Sequence, residues 1–190
     1  MLRSRGPMAR FQRQRIRFQR QPPGTAITRA SLILGGGLAG AGAWLIVARE
    51  PRKAALIAGF SAVLLLAGGH RANHGAGGPT DRMLDELLDR GWDAALLGSI
   101  AWAARVPAPR ITAGALVALC VSFLSSYVRA RGAALGYSVE ESHVTRGIRY
   151  ALILAGLGLD WLGWTVWVAA GVAALAALVR TGQVASEDRT

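Results

Sequence analysis

Charged residues are scarce in this 190-residue chain, and acidic residues are the scarcest of them. Asp and Glu number 11 against 22 Lys and Arg, and all charged residues together make up 17% of the chain. Soluble domains carry about a quarter charged residues, whereas here 52% of residues are apolar. This composition excludes an ordinary water-soluble globule and predicts an all-α, polytopic membrane protein. The single cysteine, Cys120, also excludes an intrachain disulfide.

Aromatic residues are few, at 7% of the chain, and they are not interleaved with the basic residues. The net charge of +11 therefore does not indicate a nucleic-acid partner, which would need stacking side chains within a basic patch. In a membrane protein, an excess of arginine is typical of cytoplasmic loops that face anionic headgroups. We expect anionic membrane lipids as partners, and no nucleic acid.

The uneven placement of charge divides the chain into three regions. Residues 1–26 hold seven arginines and no acid, which predicts a basic cytoplasmic or interfacial segment, either an amphipathic helix or a disordered tail. Residues 27–180 are predicted to form a six-helix membrane domain, and residues 181–190 a polar cytoplasmic tail. The six apolar runs that predict transmembrane helices lie at 27–48, 54–68, 94–104, 111–128, 148–159 and 161–179.

The distribution of Lys and Arg predicts the orientation of these six spans. With the N-terminus inside, the inner segments hold sixteen basic residues and the outer turns hold five. The positive-inside rule then places both termini in the cytoplasm, and we expect a multi-pass protein of the cell (inner) membrane.

Four aspartates recur at intervals of four residues: Asp81, Asp85, Asp89 and Asp93. On a helix they form one nearly axial stripe, and each like-charged pair at this spacing costs a few tenths of a kcal/mol. Some positive charge must offset the repulsion. One interpretation is pairing with nearby basic side chains, namely Arg71, His74, Arg82 or Arg90. The other is a divalent cation held by carboxylate oxygens at the mouth of the bundle.

A second cluster lies on the same predicted side of the membrane: Tyr127, Arg129, Arg131, Arg146 and Arg149. Arginines that flank spans are commonly anchors that extend to the headgroups. If they converge beside the acidic stripe, they form instead a phosphate pocket, because guanidinium groups bind phosphate oxygens in a bidentate manner.

These two clusters carry a family resemblance. The run 81–93 resembles the second half of the CDP-alcohol phosphatidyltransferase signature, D-x2-D-G-x2-A-R-x8-G-x3-D-x3-D. The runs 126–131 and 144–149 are similar to the S-Y-x-[KR]-A-R and E-R-x-x-R stretches of the actinobacterial phosphatidylinositol-phosphate synthase branch. Six spans after a cytoplasmic N-terminal segment also fit that family.

The resemblance implies a membrane phosphotransferase of phospholipid biosynthesis. In such an enzyme a polar alcohol, which in some members is itself phosphorylated, attacks a CDP-diacylglycerol-like lipid and CMP leaves. Four aspartates of the family hold Mg²⁺ or Mn²⁺ against the diphosphate. By position, Asp85 and Asp89 match the third and fourth aspartates, with Asp89 as the base. The positions expected to bind acceptor phosphate fall on Arg129, Arg131, Arg146 and Arg149.

The first half of the signature is degenerate. Without gaps, its two aspartates fall on Leu64 and Ala67, and the following glycine, at the nucleotide end, falls on Gly68. Asp81 stands where the signature has glycine. Asp81, His70 and His74 are the candidate replacement metal ligands, and the two imidazoles would favour a transition metal. Two alternatives stay open beside an active enzyme: an inactive family member that acts as a binding or regulatory membrane partner, and an unrelated membrane protein. The resemblance and the small-residue faces favour a homodimer.

The predicted topology is tested by cysteine labelling in a Cys120→Ala background. Cysteines placed at Ser4 and at Ser186 should both be protected from an impermeant thiol reagent in intact cells and become reactive after lysis. Labelling of either position from outside the cell contradicts two cytoplasmic termini.

Overall fold

The computed structural model describes residues 25–75, 77–137 and 143–187, so the predicted basic segment lies almost wholly outside the described residues. Over these ranges the chain is entirely helical, with no β-strand. The six helices are α1 (Thr25–Val47), α2 (Pro51–Asn73), α3 (Pro79–Ala104), α4 (Pro109–Ala134), α5 (His143–Gly158) and α6 (Leu162–Glu187).

Proline and glycine mark the helix ends. Pro51, Pro79 and Pro109 each open a helix, because proline lacks the N–H that would have no partner there and its φ already suits the first turn. At the end of α4, Gly136 has φ +94°, which a residue with a side chain adopts at a cost. This turn lets the Tyr137 N–H donate to the Gly132 carbonyl at 3.1 Å.

Small residues bring α1 against α2. Gly35, Ala39 and Gly42 are buried on one face of α1. The hydroxyl of Ser61 on α2 donates to the Gly35 carbonyl at 2.6 Å, so the two backbones lie close together, as in membrane helix pairs. The other glycines of α1 differ: a Cβ built on Gly36 would lie 2.7 Å from Leu88 of α3, whereas one on Gly40 would meet nothing within 4 Å.

The remaining helices complete the bundle around α3. Helix α4 packs against α3 and α6, and α5 packs against α2 and α6. The shared core is apolar toward the C-terminal half of α3, where Leu96 and Ile100 are buried together with Ile153, Leu157 and Val166. Toward the N-terminal half of α3 the interior is polar, and the acidic stripe lies there.

Within the part of the chain that the structure describes, four helices are long and apolar enough to cross a membrane: α1, α2, α4 and residues Leu162–Gln183 of α6. The prediction of an all-helical membrane protein is confirmed at this level. Helix α5 has only 16 residues, and α3 carries the four aspartates of the stripe, Glu86 and two arginines. By length and composition alone, neither of these two helices qualifies as a membrane span.

Helices extend beyond the predicted apolar runs. Helix α2 continues past residue 68 to Asn73, so that His70 and Asn73 lie in its last turns. Helix α3 begins at Pro79, long before the apolar run at 94–104, and α6 continues to Glu187, into the predicted polar tail. Hydropathy marks the apolar part of a helix, whereas the backbone hydrogen bonds that define it also continue through polar residues.

Candidate functional site

The acidic stripe of α3 faces the interior of the bundle. Each of Asp81, Asp85, Asp89 and Asp93 is at most 1% exposed. Carboxylates removed from water in this way need counter-charges or hydrogen bonds, because an uncompensated buried charge is very costly. The structure supplies those counter-charges from arginines of the same chain.

Asp81, at the first turn of α3, pairs with α1. Its Oδ1 lies 2.5 Å from the Nε of Arg29, and its Oδ2 accepts the Gly78 N–H at 2.8 Å. The capping bond also satisfies a backbone donor at the start of α3.

Two arginines of α5 neutralise the middle of the stripe. Arg146 bridges two carboxylates, with its Nη1 2.9 Å from Asp85 Oδ1 and its Nε 3.3 Å from Asp89 Oδ1. Arg149 places its Nη2 3.1 Å and 3.2 Å from the two oxygens of Asp89. Its Nε lies 2.9 Å from Asp93 Oδ1, at ion-pair distance but without hydrogen-bond geometry.

Helix α4 and α3 itself complete the network at Asp93. The hydroxyl of Ser122 donates to Asp93 Oδ2 at 2.5 Å. Arg90 contacts Asp89, lies 3.3 Å from Asp93 Oδ2 and donates to the Ser122 hydroxyl at 2.8 Å. Tyr150 donates to Asp89 Oδ1 at 2.6 Å, while its ring packs on Trp92 with centroids 4.0 Å apart. Asp89 is therefore the most heavily contacted carboxylate of the stripe.

A small cavity opens beside Asp89. Five arginines line it with Asp89 as its single acid: Arg90, Arg129, Arg146, Arg149 and Arg180. Its volume of about 20 Å³ is room for a single water molecule. The excess of guanidinium groups favours an anion, and any ligand of phosphate size requires these side chains to move apart.

The structure brings together three of the four arginines predicted to bind phosphate. Arg129, Arg146 and Arg149 line the cavity, and Arg129 also pairs with Glu86 at 2.8 Å. Arg131 is exposed and does not line the cavity. Tyr127, which the sequence grouped with them, is 66% exposed.

The residues predicted to bind a cation do not all lie together in the structure. Asp85 and Asp89 share the Arg146 contact, whereas Asp81 pairs with Arg29. His70 and His74 stack on each other at 4.1 Å between ring centroids, on an exposed face of the chain. Across the described ranges, no three His, Cys, Asp or Glu side chains are arranged to hold a metal ion.

Gly68, predicted at the nucleotide end, lies against α1. A Cβ at this position would lie 2.9 Å from Leu32, so the glycine serves helix packing in this structure. Its neighbour Gly69 faces the stripe: a Cβ there would collide with the Asp85 carboxylate. Asn73, one turn later, lies 3.4 Å from Asp85 Oδ2 through its amide nitrogen.

Several residues of the site were missed by sequence reasoning. They are Arg29, Asn73, Ser122, Tyr150 and Arg180. Tyr150 follows Arg149 directly and could have been included on that ground. No pattern singles out Ser122 or Arg29, because their roles depend on which helices become neighbours. Arg90 was considered as a partner of the stripe, and that pairing is present.

Comparison with known proteins shows which proteins the chain resembles. The chain is 36% identical over 128 residues to the phosphatidylinositol phosphate synthase of Corynebacterium glutamicum, covering 65% of this chain and 58% of that protein. It is 29% identical over 144 residues to the synthase of Mycolicibacterium smegmatis, covering 72% and 65% respectively. The resemblance to the phosphatidylinositol phosphate synthase branch of the CDP-alcohol phosphatidyltransferases is confirmed. The matches thus span less than two thirds of these synthases' length, and no protein-family profile matches the chain.

Solved structures of a synthase share the fold. The Mycobacterium tuberculosis phosphatidylinositol phosphate synthase in complex with manganese and citrate has a TM-score of 0.71 at 23% identity, covering 85% of this chain and 88% of that one. The same synthase with CDP-DAG bound also has a TM-score of 0.71, at 22% identity, covering 94% and 93%. At this identity the likeness concerns the helix arrangement.

The buried pairing of Arg149 with Asp93 predicts a strong coupling in stability. Arg149→Gln should lower the free energy of unfolding by about 3–5 kcal/mol, because it leaves buried carboxylates without their counter-charge. The double variant Arg149→Gln, Asp93→Asn should recover part of that loss. Denaturant unfolding in detergent measures both, with Arg131→Gln as an exposed control expected within about 0.5 kcal/mol of wild type. Strict additivity of the two substitutions contradicts the pairing.

Proposed function

We propose that the chain is a membrane phosphotransferase of phospholipid biosynthesis. It transfers a phosphatidyl group from a CDP-diacylglycerol-like lipid to a polar alcohol and releases CMP. The observation that carries the proposal is the meeting of Asp85 and Asp89 with the arginines of α5 in one buried site, in a chain related to phosphatidylinositol phosphate synthases. The CDP-DAG bound to the M. tuberculosis synthase supports the choice of donor.

All six helices cross the membrane in this proposal, with both termini in the cytoplasm of the cell's inner membrane. Support for α3 and α5 as spans comes from their outer faces, where Leu87 is 61% exposed and Ile148 is 45% exposed. Such side chains suit contact with lipid. Residues 27–180 then form the membrane domain. Residues 181–190 form its cytoplasmic end, where α6 extends to Glu187.

The arginine-lined cavity binds the phosphate of the acceptor alcohol. Arg129, Arg146 and Arg149 surround it, and Arg131, exposed outside the cavity at the same end of α4, is the fourth arginine of the proposal. Guanidinium groups bind phosphate through paired N–H donors. This arrangement favours an acceptor that carries a phosphate of its own over a neutral polyol.

The carboxylates of Asp85 and Asp89 suit a divalent cation, because Mg²⁺ and Mn²⁺ both prefer oxygen ligands. Room for the Asp85 carboxylate exists because Gly69 has no side chain. The manganese in the M. tuberculosis synthase supports this cofactor. When bound, such a cation neutralises charge on the diphosphate. The two-cation set of the family does not fit: α2 contains no acid, and Asp81, His70 and His74 do not converge with the pair.

Asp89 is the base. Its carboxylate accepts the proton of the acceptor hydroxyl as that oxygen bonds to the lipid-side phosphorus, and the bond from this phosphorus to CMP breaks. Placement matters more than basicity here, because a general base must lie within hydrogen-bond reach of the proton. Tyr150 and Arg149 hold the Asp89 oxygens in place.

The part of the site where the CDP-lipid would bind, on α2, favours a second function. Where the family has aspartates, α2 presents Leu64 and Ala67, and Gly68 packs on Leu32 rather than lining a nucleotide site. A chain of this kind can bind phospholipid or acceptor without turning it over, as a binding or regulatory membrane partner. A homodimer is part of either function, supported by the open Gly37 and Gly40 face of α1.

CMP release by the purified chain distinguishes the two functions. The assay supplies CDP-diacylglycerol, acceptors with and without a phosphate, and Mg²⁺ or Mn²⁺ in parallel. Wild type should release CMP, and Asp89→Asn should reduce the rate at least about 100-fold, because the base is lost while the shape is kept. Asp160→Asn, at the opposite end of the bundle, is the matched control and should stay within about twofold, as surface changes usually have small effects.

Two results contradict parts of this proposal. Full activity in Asp89→Asn removes the role of Asp89 as base. If the wild type binds CDP-diacylglycerol but releases no CMP with any acceptor or metal, the non-catalytic function is supported instead.

A further inference from the structure

The guanidinium of Arg146 lies between the two carboxylates that the resemblance assigns to a divalent cation. Its Nη1 is 2.9 Å from Asp85 and its Nε is 3.3 Å from Asp89. The side chain is only 5% exposed. One positively charged group thus bridges two acids one helical turn apart, which is the position and the charge that a bridging cation has.

Little else can hold a cation at this point. Helix α2, which faces Asp85, contributes no acid there; its nearest groups are the bare backbone of Gly69 and the Asn73 amide, whose nitrogen faces Asp85. Arg146 contacts Oδ1 of Asp85 and Oδ1 of Asp89. The other oxygens face other donors, Asn73 at Asp85 Oδ2 and Arg90 and Arg149 at Asp89 Oδ2, so a cation that bridges the two acids needs the Oδ1 atoms that Arg146 already contacts. Two cations cannot share these lone pairs, and at such distances they repel strongly in a buried site.

We propose that Arg146 is a tethered counter-cation that competes with a divalent cation for Asp85 and Asp89. Without metal, its guanidinium bridges the two carboxylates and balances their charge together with Arg90 and Arg149 at Asp89. When a cation binds, the guanidinium must leave them. This inference rests on the proposed function, because it concerns the same site.

The cavity beside Asp89 can receive the guanidinium of Arg146 once it leaves the carboxylates. Arg146 already lines the cavity beside Asp89 together with Arg129, Thr145 and Arg180. Turning from the carboxylates toward this cavity adds one more N–H donor set to the anion site. Cation binding and phosphate binding should therefore favour each other, since each is stronger in the state in which Arg146 has left the acids.

Titration with Mn²⁺ tests the competition. Free Mn²⁺ is measured by electron paramagnetic resonance with the purified chain in nanodiscs of zwitterionic lipid. Arg146→Lys keeps the positive charge but loses the planar bridge, and it should bind Mn²⁺ about fivefold more tightly than wild type. Arg146→Gln should bind about tenfold to a hundredfold more tightly, the range expected for losing a charged hydrogen bond as competitor.

Arg180→Gln is the control for simple removal of positive charge. Arg180 lines the same cavity but bonds to Ser125 and to neither carboxylate, so its removal should raise Mn²⁺ affinity clearly less than the removal of Arg146 does. Asp85→Asn should abolish tight binding in every background. Circular dichroism verifies that each variant is folded, and the charge-conserving Arg146→Lys keeps the test available if Arg146→Gln does not fold.

Three results overturn the inference: Arg146→Lys binding no more tightly than wild type, Arg146→Gln and Arg180→Gln giving equal effects, or no variant binding Mn²⁺. None of these readings needs turnover. A chain that releases no CMP can still show the competition, and an active chain in which Arg146→Lys leaves Mn²⁺ affinity unchanged rejects the inference alone.

Discussion

The buried pairing of aspartates on α3 with arginines from three helices is the constraint on which the rest of the site depends. Four carboxylates at most 1% exposed would be prohibitively costly in a membrane bundle without counter-charge. Arg29 from α1, Arg90 from α3 itself, and Arg146 and Arg149 from α5 provide that charge. The pairs of Arg29, Arg146 and Arg149 tie α3 to α1 and α5, so the contacts that balance the buried charge also hold the first turns of α1 and α5 beside the stripe.

Fold and site are held by different residues, and this explains how one can persist while the other changes. The bundle depends on small residues such as Gly35 and Gly42 and on apolar core residues such as Leu96 and Ile100. None of these needs the aspartates that α2 lacks. The helix arrangement of a synthase is therefore kept at a TM-score of 0.71, while α2 contributes no acid to the site. With no acid on α2, the charge of the stripe is balanced by arginines.

Much of this could be predicted from the sequence, because the signals were local. The four-residue spacing of the aspartates places them on one helix face, and hydropathy identifies the apolar helices. The partners of the stripe could not be predicted. Arg29 lies 52 residues from Asp81, and Ser122 lies 29 residues from Asp93, so only the packing of α1 and α4 brings them together. The repulsion along the stripe indicated that a counter-charge exists, but not whether it is a cation or a guanidinium.

Hydropathy also could not predict where helices with polar ends begin and end. His70 and Asn73 belong to α2 because helical hydrogen bonding continues into the polar residues, and only the structure shows Asn73 beside Asp85. Arg131, which shares a sequence motif with Arg129, lies outside the cavity because residues two apart on a helix point in different directions.

The central claim is that the chain's own arginines, rather than a metal, neutralise the acidic stripe. The most direct measurement is thermal unfolding of the purified protein after exhaustive chelation of divalent cations. If the claim is right, the chelated protein remains helical and unfolds in a single cooperative transition, because every buried aspartate keeps its guanidinium partner. Loss of helical structure on chelation, restored by adding Mn²⁺, would show that a metal ion holds the stripe together and would contradict the claim.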